Sequence, residues 1–87
     1  MKKGKITLFF WPTPNCYKVS ILLEELKVPY NIYPVHIGKG EQFARNFLQL
    51  SPHGKVPAIT DTFDTKRQIS VVESGSILLY LTEKYNH

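Results

Sequence analysis

Polar side chains stand at the beginning of two predicted helices. Glu73 and Ser74 open the last apolar helical pattern, and Thr13 and Asn15 stand at the beginning of the first. The first amides of a helix have no carbonyl partner within it and carry a partial positive charge. At the last helix, these amides and the Ser74 hydroxyl could therefore bind a carboxylate. Ser74, Thr13 and Asn15 are also of types common at helix caps, and Glu73 could simply be an acid that matches the helix dipole.

A proline lies at the beginning of a predicted strand. Pro57 follows Val56 in the segment 51–57, whose sequence is Ser-Pro-His-Gly-Lys-Val-Pro. A proline removes one donor from a strand ladder, so an edge strand or a turn is one interpretation.

The other reactive side chains are few. Cys16 is the single cysteine, so a dithiol mechanism within this chain is excluded, and we interpret Cys16 as a small residue on a helix face rather than a catalytic thiol. His36 and His53 have no partner at metal-ligand spacing, so no metal is expected.

The elements that must position these residues follow from the apolar pattern. Val19, Leu22, Leu23 and Leu26 recur at the spacing of one helix face. Strands are predicted over residues 5–10, 29–35, 56–60 and 68–72. Helices are predicted over residues 15–27 and from Ser74 onward, with a short or irregular helix within residues 41–50. The polar stretch 61–67 would connect the last two strands as a hairpin. This order predicts one α/β domain spanning residues 1–87, with thioredoxin-like βαβ-α-ββα topology and a four-stranded mixed sheet flanked by helices.

Composition and charge narrow the possible partners. The net charge is +4, but the basic residues are spread along the chain without a stripe or an interleaved aromatic motif, so no nucleic-acid partner is expected. No apolar run approaches the ~20 residues of a membrane span, so no membrane partner is expected. The single cysteine agrees with a reducing compartment, and we expect a cytoplasmic protein.

Four local sequences, in order, resemble the N-terminal domain of glutathione transferases, most closely the bacterial Nu class and its fungal Ure2-like relatives. The resemblance covers the chain from about Ile6 to Tyr85. The four segments are WPTPNCYKV from Trp11, IGKGEQF from Ile37, SPHGKVPAI from Ser51 and ESGSILLYL from Glu73.

The resemblance implies a glutathione site. In this family the proline of the third segment is cis, so the backbone of Val56 before Pro57 would pair with the cysteinyl part of glutathione like an added strand. The amides and hydroxyl at Ser74 would hold the γ-glutamyl carboxylate, and Glu73 would face the adjacent ammonium group.

The resemblance also implies roles at both ends of the tripeptide. Thr13 and Asn15 would be the catalytic residues, stabilising the glutathione thiolate as hydrogen-bond donors, since the strand-end tyrosine of other classes is absent. Gln42 and Lys55 would bind the glycyl carboxylate, although either is equally compatible with a plain surface position.

Two functions follow as expectations. The first is an enzyme, a glutathione transferase with disulfide reductase or peroxidase activity, in which glutathione is the co-substrate and a small electrophile or disulfide is its partner. The alternative is a non-catalytic interaction or regulatory module of the same fold. The family's all-helical C-terminal domain is absent from residues 1–87, and a homodimer is expected where the full-length architecture is present.

Overall fold

A computed structural model describes residues 5–62 and 67–85 of the chain. Two single-turn 3₁₀ helices, Ile37–Lys39 and Glu41–Phe43, lie between the second strand and the second helix. The other elements are β1 (Ile6–Phe10), α1 (Pro14–Glu25), β2 (Tyr30–Pro34), α2 (Arg45–Leu50), β3 (Ala58–Thr62), β4 (Gln68–Val72) and α3 (Ser74–Tyr85).

The four strands form one mixed sheet in the order β2-β1-β3-β4. β1 and β2 are parallel and are joined through α1, whereas β3 is antiparallel to both β1 and β4. The predicted α/β class, the thioredoxin-like topology and the four-stranded mixed sheet are therefore confirmed.

The core has two parts, because successive side chains of a strand point to opposite faces of the sheet. Leu8 and Ile59 face the side covered by α1 and α3. Phe9 and Ala58, their neighbours in sequence, face the side covered by α2. The buried residues that these helices contribute are Cys16, Val19, Leu23, Phe47, Ile77 and Leu81.

The first helix is shorter than the predicted range 15–27 and ends at Glu25. Lys27 has a φ of 57°, in the left-handed region. Its amide donates to the Glu24 carbonyl at 3.1 Å, and the Val28 amide donates to the Leu23 carbonyl at 3.1 Å. These two bonds form a Schellman motif, which closes the helix although glycine is the usual residue at this position.

The helix predicted as short or irregular within residues 41–50 consists of a 3₁₀ turn and the six-residue α2, separated by Ala44 with extended backbone angles. The predicted boundary between β3 and the hairpin connection was wrong. The polar stretch 61–67 was predicted to connect β3 and β4, but its first two residues, Asp61 and Thr62, continue β3 and pair with β4. The remainder of the predicted hairpin, residues 63–66, lies outside the described residues.

None of the helices in the described ranges is long and apolar enough to cross a membrane.

Candidate functional site

A cavity of about 250 Å³ opens where the beginnings of α1 and α3 meet the loop that precedes β3. Its wall includes six of the eight site residues predicted from the sequence. They are Asn15, Lys55, Val56, Pro57, Glu73 and Ser74. Ser51, His53 and Val72 complete the wall.

The Val56–Pro57 peptide bond is cis, as the resemblance implied. β3 begins after it, at Ala58, and the Val56 backbone makes no hydrogen bond to the backbone of any described residue. The Val56 amide and carbonyl therefore stand at the cavity wall beyond the paired part of the sheet.

A buried serine shapes the loop before Val56. The Ser51 hydroxyl accepts a hydrogen bond from the Lys55 amide at 3.2 Å and donates to the Lys55 carbonyl at 3.0 Å. The Gly54 amide also donates to the Ser51 carbonyl at 2.8 Å. These three bonds hold the loop in one closed turn.

Gly54 allows Gln42 and Phe43 to approach this turn. Gly54 has a φ of 64°, and a Cβ atom there would lie 3.0 Å from the Phe43 ring and 3.1 Å from the Gln42 carbonyl oxygen. Gln42 is not part of the cavity wall, although its backbone packs beside the turn. Its side-chain oxygen is buried and has no hydrogen-bond partner among the described residues.

The beginning of α3 forms the opposite wall. The Glu73 carbonyl accepts the first helical hydrogen bond, from the Ile77 amide at 2.9 Å. The amides of Ser74 to Ser76 precede that bond and carry the positive end of the helix dipole. Glu73 has a φ of 71°, a conformation rare outside glycine, asparagine and aspartate, and such strained residues cluster at functional sites.

At the beginning of α1, Thr13 is the N-cap. Its hydroxyl oxygen accepts from the Cys16 amide at 3.2 Å, and Pro14 occupies the first helical position. The capping interpretation therefore holds for Thr13, yet its hydroxyl hydrogen is still available to donate. Thr13 lies outside the cavity wall, two residues before Asn15. Cys16 is 0% exposed and packs in the core, in agreement with a structural residue rather than a surface thiol.

The cavity wall carries charges of both signs. Lys55 supplies an ammonium group from the turn, and Glu73 supplies a carboxylate at the helix start. This arrangement suits a ligand with both carboxylate and ammonium groups. No group of three metal-binding side chains occurs in the part of the chain that the structure describes.

Three wall residues, Ser51, His53 and Val72, were not predicted as site residues from the sequence. Ser51 and His53 belong to the same short segment as Lys55 and Val56, and this closeness in sequence could have identified them. Val72 is an apolar strand residue whose only signal was its position directly before Glu73.

A larger cavity, of about 610 Å³, lies on the α2 side of the sheet and contains none of the predicted site residues. Its wall is mainly apolar, formed by rings such as Phe9, Tyr33 and Phe47. Among the described residues, Glu41 is the one charged side chain in its wall, so it lacks the opposite charges of the smaller cavity. We therefore assign the candidate site to the smaller cavity.

Comparisons with known proteins show which proteins the chain is similar to. The chain is 48% identical over 81 residues to the disulfide-bond oxidoreductase YfcG of Escherichia coli, covering 91% of this chain and 38% of that protein. It is 43% identical over 72 residues to the protein URE2 of Debaryomyces hansenii, covering 83% of this chain and 23% of the relative.

Solved structures share the fold closely. The glutathione transferase of Pseudomonas putida, with one glutathione disulfide bound per subunit, has a TM-score of 0.88 at 38% identity over 97% of this chain and 37% of that one. The chain thus spans less than two fifths of the length of these relatives. The family model for the glutathione S-transferase N-terminal domain matches residues 8–87. The resemblance seen in the sequence is confirmed, and the chain belongs to the glutathione S-transferase N-terminal domain family.

Proposed function

We propose that the smaller cavity binds glutathione and activates its thiol. The observation that carries this proposal is that the unpaired backbone of Val56 and the amide-rich beginning of α3 line the same cavity. The first would pair with the cysteinyl residue of glutathione, and the second would hold the γ-glutamyl carboxylate. Glu73 would face the neighbouring ammonium group.

The glycyl end of the tripeptide is proposed to lie near the turn before β3. Lys55 is exposed and carries the charge that a glycyl carboxylate requires. Gln42 approaches the same turn from the side, so its role would be to support that turn and to supply a polar group at its rim.

Activation of the thiol is proposed to depend on Thr13 and Asn15. A free cysteine thiol titrates near ~8.5, so it must be stabilised as a thiolate to react at neutral pH. Because the Thr13 oxygen already accepts from the Cys16 amide, its hydrogen is directed away from that amide and is free to donate to sulfur. Asn15 would donate from the cavity wall, and the positive end of α1 would favour the anion.

The proposed reaction is reduction of a disulfide. The glutathione thiolate attacks one sulfur of the disulfide, forming a mixed disulfide while the other sulfur leaves as a thiolate and takes a proton. The thiolate of a second glutathione then attacks the glutathione sulfur of the mixed disulfide, which releases the remaining thiol and joins the two glutathiones as glutathione disulfide. The similarity to a disulfide-bond oxidoreductase supports this reaction ahead of addition to a carbon electrophile or reduction of a peroxide.

The test compares the thiol pKa of bound glutathione in four proteins: the unchanged chain, Thr13→Val, Thr13→Asp and the control Thr82→Val. The Thr82 hydroxyl bonds to the Leu78 and Leu79 carbonyls of α3, so its replacement makes the same chemical change away from the cavity. We expect Thr13→Val to raise the pKa by about one unit, since one hydrogen bond to a charged group is lost. Aspartate keeps the helix cap but brings no donor, so Thr13→Asp should raise the pKa as well.

Disulfide reductase turnover is measured on the same proteins and on a Thr13→Val, Asn15→Ala double variant. Turnover should fall in the variants that stabilise the thiolate less, and it should stay unchanged in Thr82→Val. If the double variant keeps both the pKa and the turnover of the unchanged chain, the catalytic assignment is wrong.

A second candidate function is a glutathione-binding regulatory module, which the similarity to URE2 favours. Such a module would bind glutathione without lowering its thiol pKa and would show no turnover. The pKa measurement therefore separates the two functions even where binding is equal.

For the whole protein we propose a cytoplasmic homodimer that uses glutathione as its co-substrate and requires no metal. The apolar side chains of Tyr17, Ile21 and Leu79 are exposed on α1 and α3 and would suit contact with a further domain. Size-exclusion chromatography of the whole protein, which should elute as a dimer, tests this assembly.

A further inference from the structure

Asp61 is a buried acid that the proposed chemistry does not use. It lies in β3 opposite Ile6 of β1, and its side chain is 0% exposed. Charged side chains are rarely buried this fully unless they are paired, so its partners indicate what it does.

Both partners come from α3. The Tyr80 hydroxyl donates to Asp61 Oδ2 at 2.5 Å, and the Lys84 ammonium group donates to the same oxygen. Tyr80 and Lys84 are four residues apart and so lie on one face of the helix. Burial and the bond to Asp61 raise the pKa of Tyr80 to about 12. Burial alone would lower the pKa of Lys84, but Asp61 raises it above its ordinary value.

The hydrogen bonds to Asp61 restrict sliding of α3 along β3, which the apolar contacts between these two elements do not. Ile77 and Leu81 are fully buried beneath α3, and apolar burial is not directional, so a small slide of the helix along its axis would keep much of it. Hydrogen bonds lengthen and weaken when their atoms move by a few tenths of an ångström. The contacts of Asp61 therefore fix the axial position of α3 against β3.

That position matters because β3 and α3 each lead to one wall of the cavity. β3 begins directly after Val56 and Pro57, and α3 begins at Ser74. A rigid helix carries any axial shift at Tyr80 along to its first amides, about 9 Å away at 1.5 Å per residue.

We propose that Asp61 is a positioning residue, which sets the distance between the Val56 backbone and the first amides of α3 that glutathione must span. This inference rests on the proposed binding of glutathione. Asp61, Tyr80 and Lys84 would affect the affinity for glutathione by positioning β3 and α3, without touching the ligand.

The experiment measures the affinity of three ligands by amide NMR titration. Glutathione touches both walls, whereas N-acetylcysteinylglycine reaches only the Val56 wall and γ-glutamylglycine only the Ser74 wall. Only the complete tripeptide depends on the spacing of the walls. The variants are Asp61→Asn and the milder Tyr80→Phe, which removes one hydroxyl group and keeps the ring. Val28→Ala, which shortens a buried core side chain outside β3 and α3, is the control for lost stability.

We expect Asp61→Asn and Tyr80→Phe to weaken glutathione binding by about threefold to tenfold, the range of one net hydrogen bond, while the affinity of both fragments changes by less than about twofold. Val28→Ala should leave all three affinities unchanged. The inference is overturned if the variants bind glutathione as tightly as the unchanged chain, or if the fragments lose affinity by the same factor. An unchanged chain that binds no glutathione would instead overturn the proposed function itself.

Discussion

Replacing Gly54 by alanine tests how the turn before β3 presents Val56 to the cavity. Gly54 has a φ of 64° and lies against Phe43 and the Gln42 carbonyl, so an alanine there meets two separate obstacles. Gly40 is a matched control, because its φ is 76° while no atom of the described residues, its two chain neighbours aside, lies within 4 Å of the Cβ position. The pair of variants separates backbone strain from crowding.

The structure sets the size of each effect. A left-handed conformation costs a residue with a Cβ atom about 1 kcal/mol, and Gly40→Ala should lower the free energy of unfolding by that amount. At Gly54 the new methyl group would also lie 3.0 Å from the Phe43 ring and 3.1 Å from a backbone oxygen. Phe43 is 63% exposed and can move, but the backbone oxygen can move only with its own turn. Crowding should therefore bring the total to about 2–3 kcal/mol.

Urea unfolding of both variants measures these costs, and a glutathione titration under folding conditions measures the functional effect. Gly54→Ala should weaken glutathione binding, because the turn carries Lys55 and Val56, whereas Gly40→Ala should not. The reasoning is refuted if Gly54→Ala is no more destabilising than Gly40→Ala, or if it binds glutathione as well as the unchanged chain does.

Three further predictions concern other parts of the chain. Lys27→Gly should raise the free energy of unfolding by about 0.5–1 kcal/mol in a urea titration, because Lys27 closes α1 with a φ of 57° that glycine adopts without strain. Ser51→Ala should cost about 1–3 kcal/mol and speed hydrogen exchange at the Lys55 amide, because that amide and the carbonyl of the same residue lose their common partner. The pKa of Tyr80 is raised from 10.0 to about 12, so the stability that this shift provides is fully present below pH 10 and is lost as the pH rises towards 12. Alkaline unfolding curves should show this loss in the unchanged chain and a smaller loss in Tyr80→Phe, because Tyr30 and Lys84, whose pKa values are also raised, keep their own contributions.

Much of the fold could be predicted from the sequence, because local patterns determine it. β4 was predicted over residues 68–72 and is observed at Gln68–Val72. Helix α1 was recognised from the spacing of Val19 and Leu23, both of which are fully buried. Period and burial agree in these elements, so no distant contact is needed to place them.

Asp61 shows why the rest could not be predicted. An acid after an apolar segment is typical of a turn, and the sequence offers no local reason to bury one. Its partners Tyr80 and Lys84 lie 19 and 23 residues further along the chain. These partners reach β3 only when α3 packs against the sheet. The strand therefore extends two residues further than the apolar pattern of the sequence indicated.

The candidate site divides in a similar way. The two motifs that contain Val56–Pro57 and Glu73–Ser74 could be recognised as motifs, and the structure places both at one cavity. The support given by Ser51 and Gly54 depends on hydrogen bonds and close approaches within a turn. Residue type and spacing do not reveal such contacts.

The most direct test of the central claim is a glutathione titration of the purified chain followed by amide NMR. Trp11, the only tryptophan, precedes Thr13 and provides a second signal through its fluorescence. The proposal predicts saturable binding with the largest shifts at the amides of Val56 and Ser74 and at the side-chain amide of Asn15. The absence of saturable binding at millimolar glutathione, or shifts confined to the larger cavity on the α2 side, would contradict it.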